Sequence, residues 1–355
     1  MMATTIDEGG LDHLISILAD CGYLVIGPTV RDNAIVLDEV DSVRRLPAGW
    51  AVDTEPGRYE LRRRNDRAMF ANSAGPQSWK RFLHPPRRRL WSGDFEPEPA
   101  EEVNYAFLGV RGCDLAAIAK LDRVLGGPAY GRRRRELFVI AVNCTEPGGV
   151  CFCVSMGTGP AAGSGYDLAL TERDDERGHV FVVEVGSEAG AEMLARVTSR
   201  EASDDEVAEA REAVEEAAHH MGRAMPEGDL KAIVADARES PHWEDVASRC
   251  LTCGNCTMVC PTCFCTSTED VTDLSGEHAE RWQHWASCFE IDFSYLHGGS
   301  VRTSAASRYR QWMTHKLSTW HDQFGSSGCV GCGRCIAWCP VGIDITAEAA
   351  KLAES

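Results

Sequence analysis

The chain has 355 residues, 44 % hydrophobic and 25 % charged, an ordinary globular composition with enough apolar surface for one large or two modest cores. Its 36 Lys and Arg against 54 Asp and Glu leave a net charge of −18, which argues against nucleic-acid binding by phosphate neutralisation and makes a basic partner surface more natural. No run approaches the roughly 18 apolar residues of a membrane span, and the N-terminal MMATTIDEGG lacks the basic start and apolar stretch of a secretory signal, so a soluble, cytoplasmic protein with no membrane contact is expected.

In chain order, YLVIGP (23–28) and AIVLDEV (34–40) read as short strands and NYAFLGV (104–110) as an apolar strand. A helix follows over 114–125, with Leu115, Ile118, Leu121 and Val124 or Leu125 on one face, and LFVIAVN (137–143) is another strand. Strand, helix, strand makes a βαβ unit whose crossover places both strand C-termini on one sheet edge. Further strands are expected at 165–171 and 179–186.

Residues 171–248 hold 21 Asp and Glu against 8 Lys and Arg, so most of the charge imbalance is one segment. Within it Ser203 and Glu206 have capping-box spacing, which predicts a solvated helix near 204–221 with a charged outer face. From about Asp229 strand signals nearly vanish, and both 276–293 and 308–324 favour helix with aromatic residues supplying core. The expected fold class is α+β: an N-terminal α/β domain over 1–229, then an all-helical domain over 230–355.

Sixteen Cys in a reducing compartment point to metal ligation rather than disulfides. Two runs share one spacing: Cys250, Cys253, Cys256 and Cys260-Pro261, then Cys329, Cys332, Cys335 and Cys339-Pro340. Three thiolates in a tight loop reach three irons of one cubane, while the fourth is carried off on the following helix to the other cluster. The expected ligands are therefore Cys250, Cys253, Cys256 and Cys339 for one [4Fe–4S] cluster, and Cys329, Cys332, Cys335 and Cys260 for the second. Gly254, Gly331 and Gly333 ease the backbone around the metal loops. A pair of structural zinc sites is the bland alternative, but zinc gives no reason for a third C-x2-C step followed by x3-C-P, seen twice. The 68 residues between Cys260 and Cys329 are expected to fold as helices that return the chain.

A third group, Cys113, Cys144, Cys151 and Cys153, falls in the α/β part. Cys113 and Cys144 each follow a strand of the βαβ unit, and Gly148 and Gly149 let the chain swing Cys151 and Cys153 back toward them, at a usual place for a ligand site. Three readings stand: a third [4Fe–4S] cluster, which leads, packing thiols, and a four-cysteine zinc site. Cys263, Cys265 and Cys288 read as packing thiols ahead of alternative ligands, and Cys21 carries no pattern. The basic runs 87–89 and 132–135 read as solvated surface. No nucleotide or flavin motif follows a strand. His278, His284, His297, His315 and His321 lack metal spacing, and no nucleophile–His–acid set stands out.

The segments GVRGCDLAAIAKLDRVL (109–125), VNCTEPGGVCFCVSMGTGP (142–160), CLTCGNCTMVCPTCFC (250–265), GEHAERWQHWASCF (276–289), DFSYLHGGSVR (292–302) and CVGCGRCIAWCPVGID (329–344) together resemble the iron–sulfur beta subunit of cytosolic NAD(P)-linked [NiFe] hydrogenases, the sulfhydrogenases. That family is related to one of the subunits of anaerobic sulfite reductase. The resemblance covers most of the chain from about residue 105, and leaves 1–100 and the acidic 171–248 segment without a matching motif. It implies an N-terminal α/β domain followed by an alpha-helical ferredoxin-type dicluster domain, in an electron-transfer protein working beside a flavin diaphorase, a large NiFe subunit, and a small iron–sulfur subunit, with nickel and flavin assigned to those partners and catalysis not assigned to the isolated chain. Relay of single electrons within such a hydrogenase is the leading function; a stand-alone iron–sulfur redox module and the corresponding sulfite reductase subunit are the alternatives.

Overall fold

The apolar runs at 104–110 and 137–143 form two parallel strands, Asn104–Val110 and Phe138–Val142, joined through the Gly112–Val124 helix. In the computed structural model, which describes residues 3–93, 96–97 and 103–354, this unit lies within an eight-stranded mixed sheet. The strands run in spatial order Arg200–Glu201, Thr4–Asp7, Gly178–Val185, Leu168–Asp175, Phe138–Val142, Asn104–Val110, Tyr23–Arg31 and Ala34–Glu39. The four from Leu168–Asp175 to Tyr23–Arg31 are mutually parallel, and the flanking pairs are antiparallel.

Both faces of the parallel centre are covered, which is why its strands read as continuous apolar runs rather than as alternation. The Glu8–Asp20 helix, capped where the Asp7 carboxylate accepts from the Gly10 N–H at 2.8 Å, buries Leu11, Leu14, Ile15 and Leu18 with Phe138 and Ile140. On the other face Phe107, Val139 and Ala141 pack with Ile118, Leu121 and Trp79. The predicted acidic helix is Asp204–His219, with the Ser203–Glu206 capping box formed.

After residue 230 the chain is largely helical: Leu230–Asp236, His242–Arg249, Ala305–Thr314, a π turn at His315–Thr319, Trp320–Phe324 and Ile345–Ala353. Its core joins Trp243, Tyr309, Trp312 and Ile336 with Val150 and Phe152 from the N-terminal half.

The helix expected at 276–293 is not formed. Ala279–Trp285 is a strand, antiparallel to Thr266–Thr272 on one side and to Arg87–Ser92 on the other. Pairing with a strand nearly two hundred residues earlier satisfies its backbone, and the Arg87 guanidinium over Trp282 (4.3 Å) and Lys80 Nζ over Trp285 (3.7 Å) supply cation–π attraction across the seam. The 68-residue insertion is thus a hairpin plus helices. For the same reason residues 87–89 are strand rather than free surface, with Arg88 Nε donating to Gln283 Oε1 at 3.0 Å and Arg89 paired to Glu280 at 2.7 Å. Among the described residues no helix is long and apolar enough to cross a membrane.

Candidate metal centres

Each ferredoxin-type run turns from a loop into a one-turn helix, Asn255–Met258 or Arg334–Ala337, behind a glycine in left-handed conformation, Gly254 (φ 73°) or Gly333 (φ 72°). The first run and the end of the second meet at a small pocket lined by Cys250, Cys253, Cys256 and Cys339, with Cys335 also on its wall. Tyr309 and Trp312 line it too. Among the described residues the buried Tyr309 hydroxyl and Trp312 indole N–H have no hydrogen-bond partner, an expensive arrangement unless an acceptor occupies the pocket. Cys253 is the exposed member of this set.

The second group gathers around Cys260. Burial pushes the Cys329 thiol up to about 12, with Cys332 and Cys260 among the thiols facing it. Burial raises Cys335 as well, and Cys329, Cys332, Cys260 and Cys256 face it. Cys335 therefore stands between the second group and the first. A hydrogen bond from Cys263 holds the Cys260 thiol well below its usual value, aided by Lys316. Lys316 Nζ donates to Thr262 Oγ1 at 2.7 Å, and Lys80 Nζ donates to the Cys263 carbonyl at 2.8 Å. Both lysines are almost fully buried, and among the described residues neither has a carboxylate partner. Burial works against the Lys316 charge, but negative charge on the Cys260, Cys263 and Cys329 sulfurs outweighs it and holds the ammonium high. Burial brings Lys80 down to about 8.

The third group converges as the parallel βαβ geometry requires. Cys113 opens the helix after one strand, Cys144 lies just past the next, and the turn returns Cys151 and Cys153, so that all four line one small pocket. Arg111 Nη1 approaches Cys144 Sγ at 3.4 Å, and the buried Ser73 hydroxyl on the wall faces the Cys151 thiol. Burial raises Cys151 to about 11 and Cys153 to about 12. Cys332 and Arg334 of the second run share this wall. The approach is close: a Cβ on Gly331 would fall 2.5 Å from the Phe152 carbonyl, and one on Gly333 2.3 Å from that of Val150.

The donor chemistry fits clusters in all three places. Sulfurs on one tetrahedral zinc, each about 2.3 Å from the metal, lie about 4 Å apart. Among the described residues, however, no three cysteine sulfurs lie within 4.8 Å of one another; the compact trio is His242, Asp245 and Glu348. That trio is an ion-pair network, with His242 on Glu348 at 2.7 Å and Arg249 on the same carboxylate at 3.0 Å. Burial raises most of these thiols, Cys329, Cys332 and Cys335 among them, whereas metal binding deprotonates a thiol outright and adds negative charge beside Lys80 and Lys316. Sequence reasoning missed these cations and the donors Ser73, Tyr309 and Trp312. Arg111 and Arg334, each within two residues of a site cysteine, had a local signal; the others had none. Of the remaining thiols, Cys288 faces Cys265, and Cys256 in turn faces Cys288, while Cys21 is exposed far from the sites beside Arg196.

Residues 249–343 match the family of 4Fe-4S dicluster domains. Over 276 residues the chain is 31 % identical to Sulfhydrogenase 2 subunit beta of Pyrococcus furiosus, an alignment that covers 75 % of this chain and 79 % of the relative. No solved structure matches.

Proposed function

Because the chain belongs to the sulfhydrogenase beta-subunit family, we propose that it relays single electrons through [4Fe–4S] clusters inside a cytoplasmic, multi-subunit [NiFe] hydrogenase. Its general character as an iron–sulfur electron-relay protein rests on the dicluster domain and that kinship. The observation that carries the finer reading is adjacency: Cys113 faces Cys332, and Cys335 faces Cys256, so three thiol groups stand in series as third, second, first. Cys250, Cys253, Cys256 and Cys339 would hold the first cluster, Cys329, Cys332, Cys335 and Cys260 the second, and Cys113, Cys144, Cys151 and Cys153 the third. Such clusters accept and release one electron at a time. The chain's own part is to exclude water around buried thiolates, to balance their charge with Lys80, Lys316, Arg111 and Arg334, and to leave the Cys253 edge open to a partner. The large NiFe, small iron–sulfur and flavin diaphorase subunits would supply nickel and flavin.

Iron and acid-labile sulfide counted on the anaerobically loaded chain test this directly, with nickel and zinc measured on whatever co-purifies. About twelve irons are expected, at four per cubane; about eight would remove the third cluster, and zinc without sulfide would end the relay reading. Cys144→Ala should release about four irons, and Cys260→Ser should disturb the centre of the second run rather than the first. Loss confined to the first centre's spectrum would contradict reciprocal ligation. Hydrogen-dependent reduction of an acceptor at full rate without this chain would exclude the relay role.

A further inference from the structure

Between the second and third thiol groups lies a buried ion pair that neither run of cysteines accounts for. Arg334 Nη1 meets Asp114 Oδ1 at 3.0 Å, with the arginine 7 % and the aspartate 3 % exposed. Arg334 precedes Cys335 on the helix after the second metal loop, and Asp114 follows Cys113 at the start of the helix after the 104–110 strand. Arg334 Nε also donates to the Gln77 carbonyl at 3.1 Å, which fixes the guanidinium plane. Arg334 and Cys332 line the same cavity as Cys113, Cys144, Cys151 and Cys153. One cation thus faces thiols of both groups, and one carboxylate offsets part of its charge.

We propose that the Arg334–Asp114 pair is a shared electrostatic element that sets the reduction potentials of the second and third clusters together. This rests on the proposed assignment of clusters to those two cysteine groups. The physical basis is simple. Reduction adds one negative charge to a cluster, so a nearby buried cation favours the reduced form and a nearby carboxylate disfavours it, with little solvent between to screen either. An arginine keeps its charge whatever its surroundings, so the pair's net effect depends on whether Asp114 is there to offset it. Because the guanidinium stands between two thiol groups, removing the offset must move two potentials in the same direction. A residue that merely braced the fold would change iron content or stability and leave the potentials of loaded clusters in place. Asp114 and Arg334 are positioning residues in this sense, acting on the clusters through charge rather than as ligands.

The test is potentiometry with electron paramagnetic resonance on the full chain, loaded anaerobically with iron and sulfide. The signals of the third and second clusters are assigned by their loss in Cys144→Ala and Cys329→Ala. In Asp114→Asn, with iron content unchanged, both midpoint potentials should rise, and in the double variant Asp114→Asn/Arg334→Gln both should return toward the wild-type values. Asp114→Ser removes the same charge with less bulk, and should give the same rise if the asparagine variant does not load. A variant that holds its full iron while moving neither potential, or only one, overturns the shared element and leaves the cluster assignment intact. About eight irons in the wild-type chain, with no signal lost in Cys144→Ala, would instead overturn the third-cluster reading and this inference with it.

Discussion

Tyr309 and Trp312 line the first thiol pocket, each with a buried donor that no acceptor among the described residues satisfies. An unsatisfied buried hydroxyl costs on the order of 1–3 kcal/mol, whereas a made hydrogen bond contributes about 1 kcal/mol. Tyr309→Phe should therefore change sign with loading: it stabilises the iron-free chain by about 1 kcal/mol and destabilises the loaded chain by a similar amount. Urea unfolding of the two forms measures both effects, and an effect of one sign in both would show that nothing in the cavity accepts from Tyr309. Residues of this kind mark the limit of what the sequence reveals. The grouping of the cysteines was legible: the spacing of the two runs is local, set by how a short loop presents thiols to one cluster, and Cys113 and Cys144 follow two parallel strands that end on one sheet edge. Lys80 and Lys316 were not, because each reaches Cys260 or Cys263 from a distant segment and neither sits in a pattern of its own.

At the scale of elements, the strands and helices of the α/β half were readable because their periods are local and strong. Asn104–Val110, Gly112–Val124 and Phe138–Val142 fall within a residue or two of their expected spans. The hairpin of Thr266–Thr272 and Ala279–Trp285 was not readable. Trp282 and Trp285 lie three residues apart, a spacing that suits one face of a helix, and the strand that fixes Ala279–Trp285 in place is Arg87–Ser92, far back in the chain. The hairpin's last residue ties it to the second thiol group: Trp285 Nε1 donates to the His84 carbonyl at 3.0 Å, and its ring lies under Lys80. Trp285→Ala should destabilise the chain by about 2 kcal/mol, less than for a fully buried tryptophan because the ring is only half-buried. It should also loosen Lys80 and lower iron retention at the second group more than at the first. Thermal unfolding and site-resolved iron loss report on these separately, and equal loss from both groups would sever the proposed link between hairpin and cluster.

Across the whole molecule, the change from sheet to helix near residue 230 separates two styles of secondary structure, yet the second metal loop is seated on the first half. Phe152 N–H donates to the Gly331 carbonyl at 2.8 Å, Thr158 Oγ1 to that of Val330 at 2.6 Å, and Gly57 N–H to that of Ile336 at 3.0 Å. In the other direction Trp338 Nε1 donates to the Ala74 carbonyl at 2.7 Å, and Val150 and Phe152 fill the core beneath. Removing residues 1–229 would leave these carbonyls to water and open an apolar socket against Gly331 and Gly333, where the 150–153 segment now packs. The fragment 230–355, loaded under the conditions used for the full chain, should therefore hold fewer than about eight irons and shed those of the second group first. Co-expression with 1–229 should restore them. Iron content after desalting decides the matter: a fragment that keeps about eight irons as tenaciously as the full chain would show that the dicluster part is self-sufficient and that these contacts only position it. Loss led by the second group would instead mean that the α/β half is part of the metal site, because the segment carrying Cys151 and Cys153 is also the surface on which Cys329, Cys332 and Cys335 are arranged.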